Sequence, residues 1–189
     1  VLRSAKWLRK AGFAGDLIAR MALSERSDVY RDVTHLLSLG LFDHVHWQLD
    51  AMWDSPMNLR WKDFEGWLRN NYLPGLRRLV DEWAQALSRG ELLPIVPFLG
   101  VMHTLITGEP VQLRCGAGID AFAITTGGKI DVCPIAPEFD GSVVARVHDD
   151  VDPSKLSGVV GLVEPCVSCD IRWVCGGRCL YTNRTKLWG

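Results

Sequence analysis

Asp16-Leu17-Ile18-Ala19-Arg20-Met21-Ala22-Leu23 is a short apolar run bounded by polar residues, and it reads as a buried strand. Downstream, Ser24 to Asp28 is a loop, and Asp28 is placed to cap a helix carrying Val33, Leu36, Leu37 and Leu39 before Gly40. Asp43 to Leu49 reads as a second strand. From Lys62 to Ser88 the spacing of Phe64, Trp67, Leu68, Leu76, Leu79, Val80, Trp83 and Leu87 predicts a long helix, broken or kinked at Pro74. Leu92 to Leu99 reads as a third strand despite two prolines. Upstream, Val1 to about Phe13 is the end of an amphipathic helix with Gly12 as its stop.

Strand, helix, strand, helix, strand is a βαβαβ unit, so the fold class is α/β with a parallel sheet or part of a barrel. Three strands are too few to close a barrel, and the chain opens in a helix on Val1. Further strands are therefore expected upstream. Working residues of parallel sheets sit at the carboxyl ends of strands. Here those ends carry Ser24 and Glu25, then Gln48 and Asp50, then His103.

With 48% hydrophobic residues the chain can pack a core, which excludes wholesale disorder. Twenty-one basic residues against 22 acidic ones leave no electrostatic footprint for nucleic acid. No apolar run approaches the roughly 20 residues that cross a bilayer, so no membrane partner is expected.

Around residues 107–114 the texture changes, with Gly108 and Pro110 marking a boundary. All six cysteines lie beyond it. Phe122–Thr125 and Lys129–Val132 flank Thr126-Gly127-Gly128, a hairpin signal. Residues 137–165 read as loop. Cys115 and Cys133 form a first group, with Gly128 four residues before Cys133. Cys166-Val-Ser-Cys169-Asp-Ile-Arg-Trp-Val-Cys175-Gly-Gly-Arg-Cys179 is C-x2-C-x5-C-x3-C. Thiols at such spacings mean metal or redox chemistry rather than a disulfide framework. Three thiolates from one short loop can cap a face of a cubane, and Gly176 and Gly177 let backbone N–H groups approach inorganic sulfide. One tetrahedral zinc is the alternative, although zinc ribbons pair two CxxC knuckles and only one is present. A thioredoxin-type redox pair would need Cys166 and Cys169 between a strand and a helix start.

The pattern C-x9–15-G-x4-C, a gap, then C-x2-C-x5-C-x3-C resembles the SPASM domain, the auxiliary-cluster extension of radical S-adenosylmethionine (radical SAM) enzymes that modify peptides and proteins. The resemblance divides the chain into 1–107, similar to the last strands and helices of a partial (β/α)6 radical SAM barrel, and 108–189, a small cysteine-rich SPASM domain with a β-hairpin. It implies two [4Fe–4S] clusters. Cys115, Cys133 and Cys179 would hold auxiliary cluster I, and Cys166, Cys169 and Cys175 auxiliary cluster II. A seventh cysteine that normally completes cluster II is not in this sequence, nor is the extra cysteine before the Cys115 position that completes cluster I in some members. Cluster I would then keep an open iron or borrow another side chain. The resemblance further implies S-adenosylmethionine as cofactor, a peptide or protein substrate, a reductant such as ferredoxin or flavodoxin, and a cytoplasmic location.

Two departures matter. The CxxxCxxC loop that generates the radical is nowhere in these residues. Sulfatase-maturing members carry an Asp directly after the cysteine matching Cys133, where this chain has Pro134. That shifts the expected reaction from formylglycine formation toward peptide crosslinking. Alternatives of another class are a non-catalytic iron–sulfur electron carrier and a zinc-binding structural module.

Elsewhere, strand alternation puts His44, His46, Gln48 and Asp50 on one face. Gln48 and Asp50 either contact S-adenosylmethionine or substrate, or belong with the histidines to a hydrogen-bonded polar layer. Arg20, if buried, needs an anionic partner, a cofactor carboxylate or a neighbouring acid. The histidines lack a third spaced ligand for a metal. Trp7, Trp67 and Trp83 are expected in the core; Trp47 and Trp53 flank the second strand and either line a pocket or pack.

Overall fold

In a computed structural model, which describes residues 1–49, 61–135 and 139–185, the run after Asp16 forms a strand, β1, over Ile18–Leu23. The chain divides into two compact units, Val1–Met102 and His103–Gly189.

The first unit begins with α1 (Leu2–Lys10), β1, α2 (Val29–Ser38) and β2 (His44–Leu49). Gly12, at φ +83°, ends the α1 segment as its position suggested. Asp28 caps α2: its carboxylate accepts from the Arg31 N–H at 2.9 Å, while Asp32 accepts from the Asp28 N–H at 3.0 Å. β1 and β2 pair in parallel, Ile18 opposite His44 through Leu23 opposite Leu49.

The third strand does not form. Ile95 makes a single parallel bridge to Val45, and α5 (Val96–Thr107) starts at the next residue. Pro94 has no N–H for a ladder, though its carbonyl accepts from Val45 N at 2.9 Å. Pro97 stands second in α5, where a fixed φ and a missing donor cost nothing. His103 consequently lies on a helix and not at a strand end.

The long helix is interrupted as its proline demands. α3 (Phe64–Trp67) opens into a π-helical turn, Leu68–Tyr72, before α4 (Leu73–Ser88). Leu73 N–H reaches back to the Leu68 carbonyl, one residue further than in an α-helix. Pro74, second in α4, would otherwise clash with the preceding turn. Gly75 lets α4 lie close on α2, since a Cβ there would stand 2.9 Å from Val29 Cγ1.

One face of the strand pair supplies Ala19, Leu23, Val45 and Trp47 to a core completed by Val29, Val33, Trp61, Trp67, Leu79, Trp83 and Ile95. The buried indoles keep partners: Trp67 Nε1 donates to Ser27 O at 3.0 Å, Trp83 Nε1 to Leu93 O at 3.0 Å and Trp47 Nε1 to the Tyr72 hydroxyl at 3.2 Å. Trp67 and Trp83 are core, as expected. Trp7 is not: it is 66% exposed, because α1 buries only Ala5. Nor is β1 buried on both faces; Ile18, Arg20 and Ala22 are exposed.

In the second unit β3 (Ala123–Ile124), β4 (Lys129–Asp131) and β5 (Val143–Arg146) form an antiparallel sheet in that order. Gly128, at φ +74°, closes the turn between β3 and β4. β5 lies within the stretch read as loop; four residues flanked by Asp and Gly give too little alternation to see. A 3-10 turn (Pro153–Lys155), α6 (Arg172–Cys175) and α7 (Leu180–Thr185) complete the unit. Its core is Leu113, Ala117, Val132, Val160 and Leu180. Among the described residues no helix is long and apolar enough to cross a membrane.

Candidate functional site

Each unit carries one polar arrangement that its packing does not require. In the first, the face of β1 and β2 turned away from the core presents Arg20 opposite His46 and Gln48 opposite Ala22. Arg20 and Gln48 are exposed, so the arginine needs no buried counter-ion. His46 is half-buried, and among the described residues its Nδ1 is enclosed without a hydrogen-bond partner. Burial foremost, and then the positive charge of Arg20, hold its pKa below the ordinary imidazole value. His44, on the same face, binds Asp16 Oδ1 through Nδ1 at 2.8 Å.

Trp47 is 7% exposed and packs edge-on against Phe98, 5.9 Å between ring centroids, so it belongs to the core. Asp50 and Trp53 lie outside the described residues. Ser24 and Glu25 serve the turn after β1: Ser27 Oγ accepts from Ser24 N at 3.0 Å and Glu25 Oε1 from Asp63 N at 2.5 Å.

In the second unit all six cysteines are free. Cys115 and Cys169 are exposed and the other four half-buried. Burial pushes the Cys133 thiol's pKa up; a hydrogen bond from the Ile135 backbone pulls it the other way, and the negative charges of Cys179 and Cys115 push it up again. Cys179 and Cys115 thus both bear electrostatically on Cys133, although the three are far apart in sequence.

Cys166, Cys169 and Cys175 share one short loop, folded by its own backbone. Cys169 N donates to Cys166 O at 3.4 Å, Arg172 N to Cys169 O at 2.9 Å and Cys175 N to Ile171 O at 2.9 Å. Glu164 Oε2 accepts from the Ser168 amide at 3.2 Å and its hydroxyl at 2.7 Å, bracing the CxxC turn. Asn183 of α7 grips the base of the loop, accepting from Val163 N at 2.7 Å and donating to Val163 O at 2.8 Å.

The segment before Cys115 lies along the end of this loop. Val111 N donates to Trp173 O at 3.0 Å and Leu113 N to Gly176 O at 2.6 Å. Gly176, at φ +75°, permits the approach, because a Cβ there would sit 3.1 Å from Leu113 N. Among the described residues two non-glycines take positive φ, Leu113 (+38°) and Arg178 (+44°), each within two residues of a cysteine. Such backbone costs about 1–3 kcal/mol and gathers at ligand clamps.

Three residues of this unit escaped the sequence reading. Asn183 is signalled only by a polar residue among the apolar positions of a short helix. Arg114 sits beside Cys115, and its Nη2 donates to the Val174 carbonyl and, at 3.3 Å, to the Thr104 hydroxyl. Asp131 is 1% exposed, and Ser142 Oγ donates to its Oδ1 at 3.2 Å.

Among the described residues no group of three or more His, Cys, Asp or Glu side chains is arranged to hold a metal ion. The donor set itself is soft sulfur, which suits iron–sulfur clusters and zinc alike.

No protein-family model matches the sequence, and no curated protein matches it. Two solved structures do. One is described as anSMEcpe carrying a hexahistidine tag, with bound AdoMet: TM-score 0.58, 15% identity, covering 94% of this chain and 48% of that one. The other is native anSMEcpe with bound AdoMet: TM-score 0.52, 16% identity, covering 94% and 50%. Both are structures of an anaerobic sulfatase-maturating radical SAM enzyme. The chain spans about half the length of the structures it matches, and at this identity the likeness is one of fold: a mixed helix and strand architecture like theirs.

Proposed function

We propose that this chain is the C-terminal part of a radical S-adenosylmethionine enzyme that modifies a peptide or protein, with a SPASM domain holding two auxiliary [4Fe–4S] clusters. The observation that carries the reading is the spacing of the six cysteines, Cys115 and Cys133 followed by C-x2-C-x5-C-x3-C from Cys166 to Cys179, in a chain whose fold resembles the two solved structures over 94% of its length; Cys115, Cys133 and Cys179 would hold one cluster. The second trio, Cys166, Cys169 and Cys175, on its own braced loop, would hold the other. When bound, such clusters relay or accept single electrons.

The chain's own residues divide the remaining work. The loops that Asn183 and Glu164 anchor fix where the thiolates stand. On the open face of β1 and β2, Arg20 offers a guanidinium to a carboxylate and Gln48 an amide to hydroxyl or carbonyl groups, of S-adenosylmethionine or of the peptide. His46, its pKa lowered by burial and by Arg20, carries less positive charge beside Arg20 than an exposed histidine would. The CxxxCxxC loop is not among these 189 residues, so this reading assigns radical generation to a part of the enzyme outside them. Pro134 stands where sulfatase-maturing members carry an Asp, which favours crosslinking of a ribosomal peptide over formylglycine formation. A ferredoxin or flavodoxin would supply electrons, and oxygen-sensitive clusters suit a cytoplasmic location.

Anaerobic reconstitution tests this. The chain should bind about eight iron and eight sulfide, four per cubane. Cys133→Ala and Cys169→Ala should each lose the signal of one cluster and keep the other by electron paramagnetic resonance (EPR). A colourless protein holding zinc and no iron would overturn the reading, and one signal lost in both variants would overturn the two-cluster assignment.

A further inference from the structure

Trp7 is 66% exposed, on a helix that buries only Ala5. One exposed apolar residue needs no explanation by itself. The residues around it do. Arg3, Lys6 and Lys10 follow one another at helical spacings of three and four, so they form one ridge along α1. Trp7 stands beside that ridge, four residues after Arg3 and three before Lys10. All three cations are exposed. Among the described residues their side chains have no hydrogen-bond or ion-pair partner. No acidic residue occurs between Val1 and Gly15. The fourth cation of the helix differs: Arg9 pairs with Asp43 and donates to the Leu41 carbonyl at 3.0 Å, fastening α1 to its unit.

The ridge works against the helix that carries it. Like charges three and four residues apart repel, and Arg3 sets a cation at the positive end of the helix dipole, where the first turn holds no acid. Local stability therefore does not explain these charges, and neither does packing, which engages Arg9. An uncompensated row of cations beside an exposed indole is complementary to a surface of opposite character, carboxylates around an apolar centre. At protein interfaces Trp and Arg supply much of the binding energy, while charges at the rim select the partner and speed its approach. A lipid surface fits less well, because this ridge offers one aromatic side chain to insert. Nucleic acid fits less well because the chain as a whole has a formal charge of -1.

We propose that the exposed face of α1 is a docking surface for an acidic protein partner, with Trp7 as its apolar anchor and Arg3, Lys6 and Lys10 as the charges that select that partner. The inference does not depend on the cluster reading. The indole fills an apolar recess, and the cations meet carboxylates at the wet rim of the contact. Salt screens such pairs, so affinity falls as ionic strength rises.

The test is fluorescence anisotropy of a labelled acidic amphipathic peptide, a repeat of Glu-Glu-Leu-Leu, titrated with the full chain at several salt concentrations. Wild type should bind, and more weakly as salt rises. Trp7→Ala should weaken binding about tenfold. The triple variant Arg3→Gln, Lys6→Gln, Lys10→Gln should weaken it by a similar factor and flatten the salt dependence. A control triple, Lys62→Gln, Arg77→Gln, Lys129→Gln, removes the same charge from exposed positions off the ridge and should bind as wild type does. Circular dichroism on every variant checks that the helices are kept; should Trp7→Ala lose helix, Trp7→Gln takes its place. A wild type that ignores the peptide would overturn the proposal, and so would equal losses in the two triples, which would mean bulk charge alone. Tighter binding to phosphatidylserine vesicles or to duplex DNA than to the peptide would overturn it too, and would give the face to a membrane or to nucleic acid. None of these outcomes bears on iron content, so the cluster reading stands or falls separately.

Discussion

The two units solve the problem of stability by different means. The first buries four tryptophans, Trp47, Trp61, Trp67 and Trp83, with Leu23, Val29, Val33, Leu79 and Ile95 around them. The second has five residues at the centre of its core, two of them Ala117 and Val132. Among the described residues positive φ is concentrated the other way: three glycines in the first unit against eight in the second, which also has both non-glycine instances. A chain segment with so little apolar burial and so much left-handed backbone loses a large ordering entropy that its own core offsets poorly. Small units in this position commonly draw their folding energy from a bound metal. On the proposed cluster reading, the cysteines of the second unit would be part of what folds it, whereas the first unit's polar face lies on a fold with its own aromatic core.

The sharpest way to break that contrast is to withhold iron. Hydrogen exchange should then show protection lost across residues 103–185, including β3, β4, β5 and α7, while β1, β2 and α4 stay protected. Equal protection in both units without iron would refute the metal-dependent half of the comparison.

The reciprocal perturbation attacks the first unit. Trp83→Ala removes a buried indole from between Leu93 O and Phe98, whose ring lies 6.0 Å from it. Truncations of this kind cost about 3–5 kcal/mol. Urea denaturation followed by tryptophan fluorescence should show that loss, and the cluster absorbance of reconstituted protein should be unchanged. Loss of the absorbance along with the stability would mean that the second unit depends on the first.

What could be read from the sequence follows the same division. Periodicity located α2, β1, β2 and the Pro74 break because each is fixed by local rules: alternation, a cap, a missing N–H. The third strand failed because Leu92–Leu99 satisfies strand composition, and only the prolines at 94 and 97 decide for a bridge followed by a helix. Trp7 failed because helical spacing reveals which side of a helix is apolar, and what covers that side is a tertiary fact. In the second unit the cysteine spacing was plain, and so was the turn at Gly128. The grouping of Cys115 and Cys133 with Cys179 came only through resemblance, since no spacing rule links residues so far apart in the chain. Arg114 and Asn183 were invisible for the same reason: their partners, Val174 and Val163, are carbonyls and amides that any sequence supplies.

A smaller perturbation sharpens the comparison inside the second unit. Asn183→Ala strands the Val163 N–H and carbonyl, each half of a bracket at the base of the Cys166 loop. A stranded group costs about 1–3 kcal/mol when buried, and partial exposure here puts the pair together at about 2 kcal/mol. The iron-loaded variant should lose its Cys166/Cys169/Cys175 signal to chelator faster than wild type while the other signal is retained. Equal chelation rates would mean that the loop is held by its cysteines alone.

The smallest expected effect concerns the polar face of the first unit. His46 has its pKa lowered from the ordinary value of 6.5, by burial first and by Arg20 second. A histidine depressed in the folded state favours the neutral ring there. Its contribution to stability is whole above 6.5 and is lost as the pH falls through the lowered folded value, because the unfolded chain takes up the proton first. Chemical-shift titration should place the His46 midpoint below the ordinary histidine value of 6.5. Arg20→Met should raise it only in part, since burial, the larger cause, remains. A midpoint fully restored in Arg20→Met would show that the face is wet and that Arg20 alone sets its character. An unmoved one would show that the guanidinium points elsewhere, and the pairing of Arg20 with His46 across the sheet would then be a matter of register without consequence for charge.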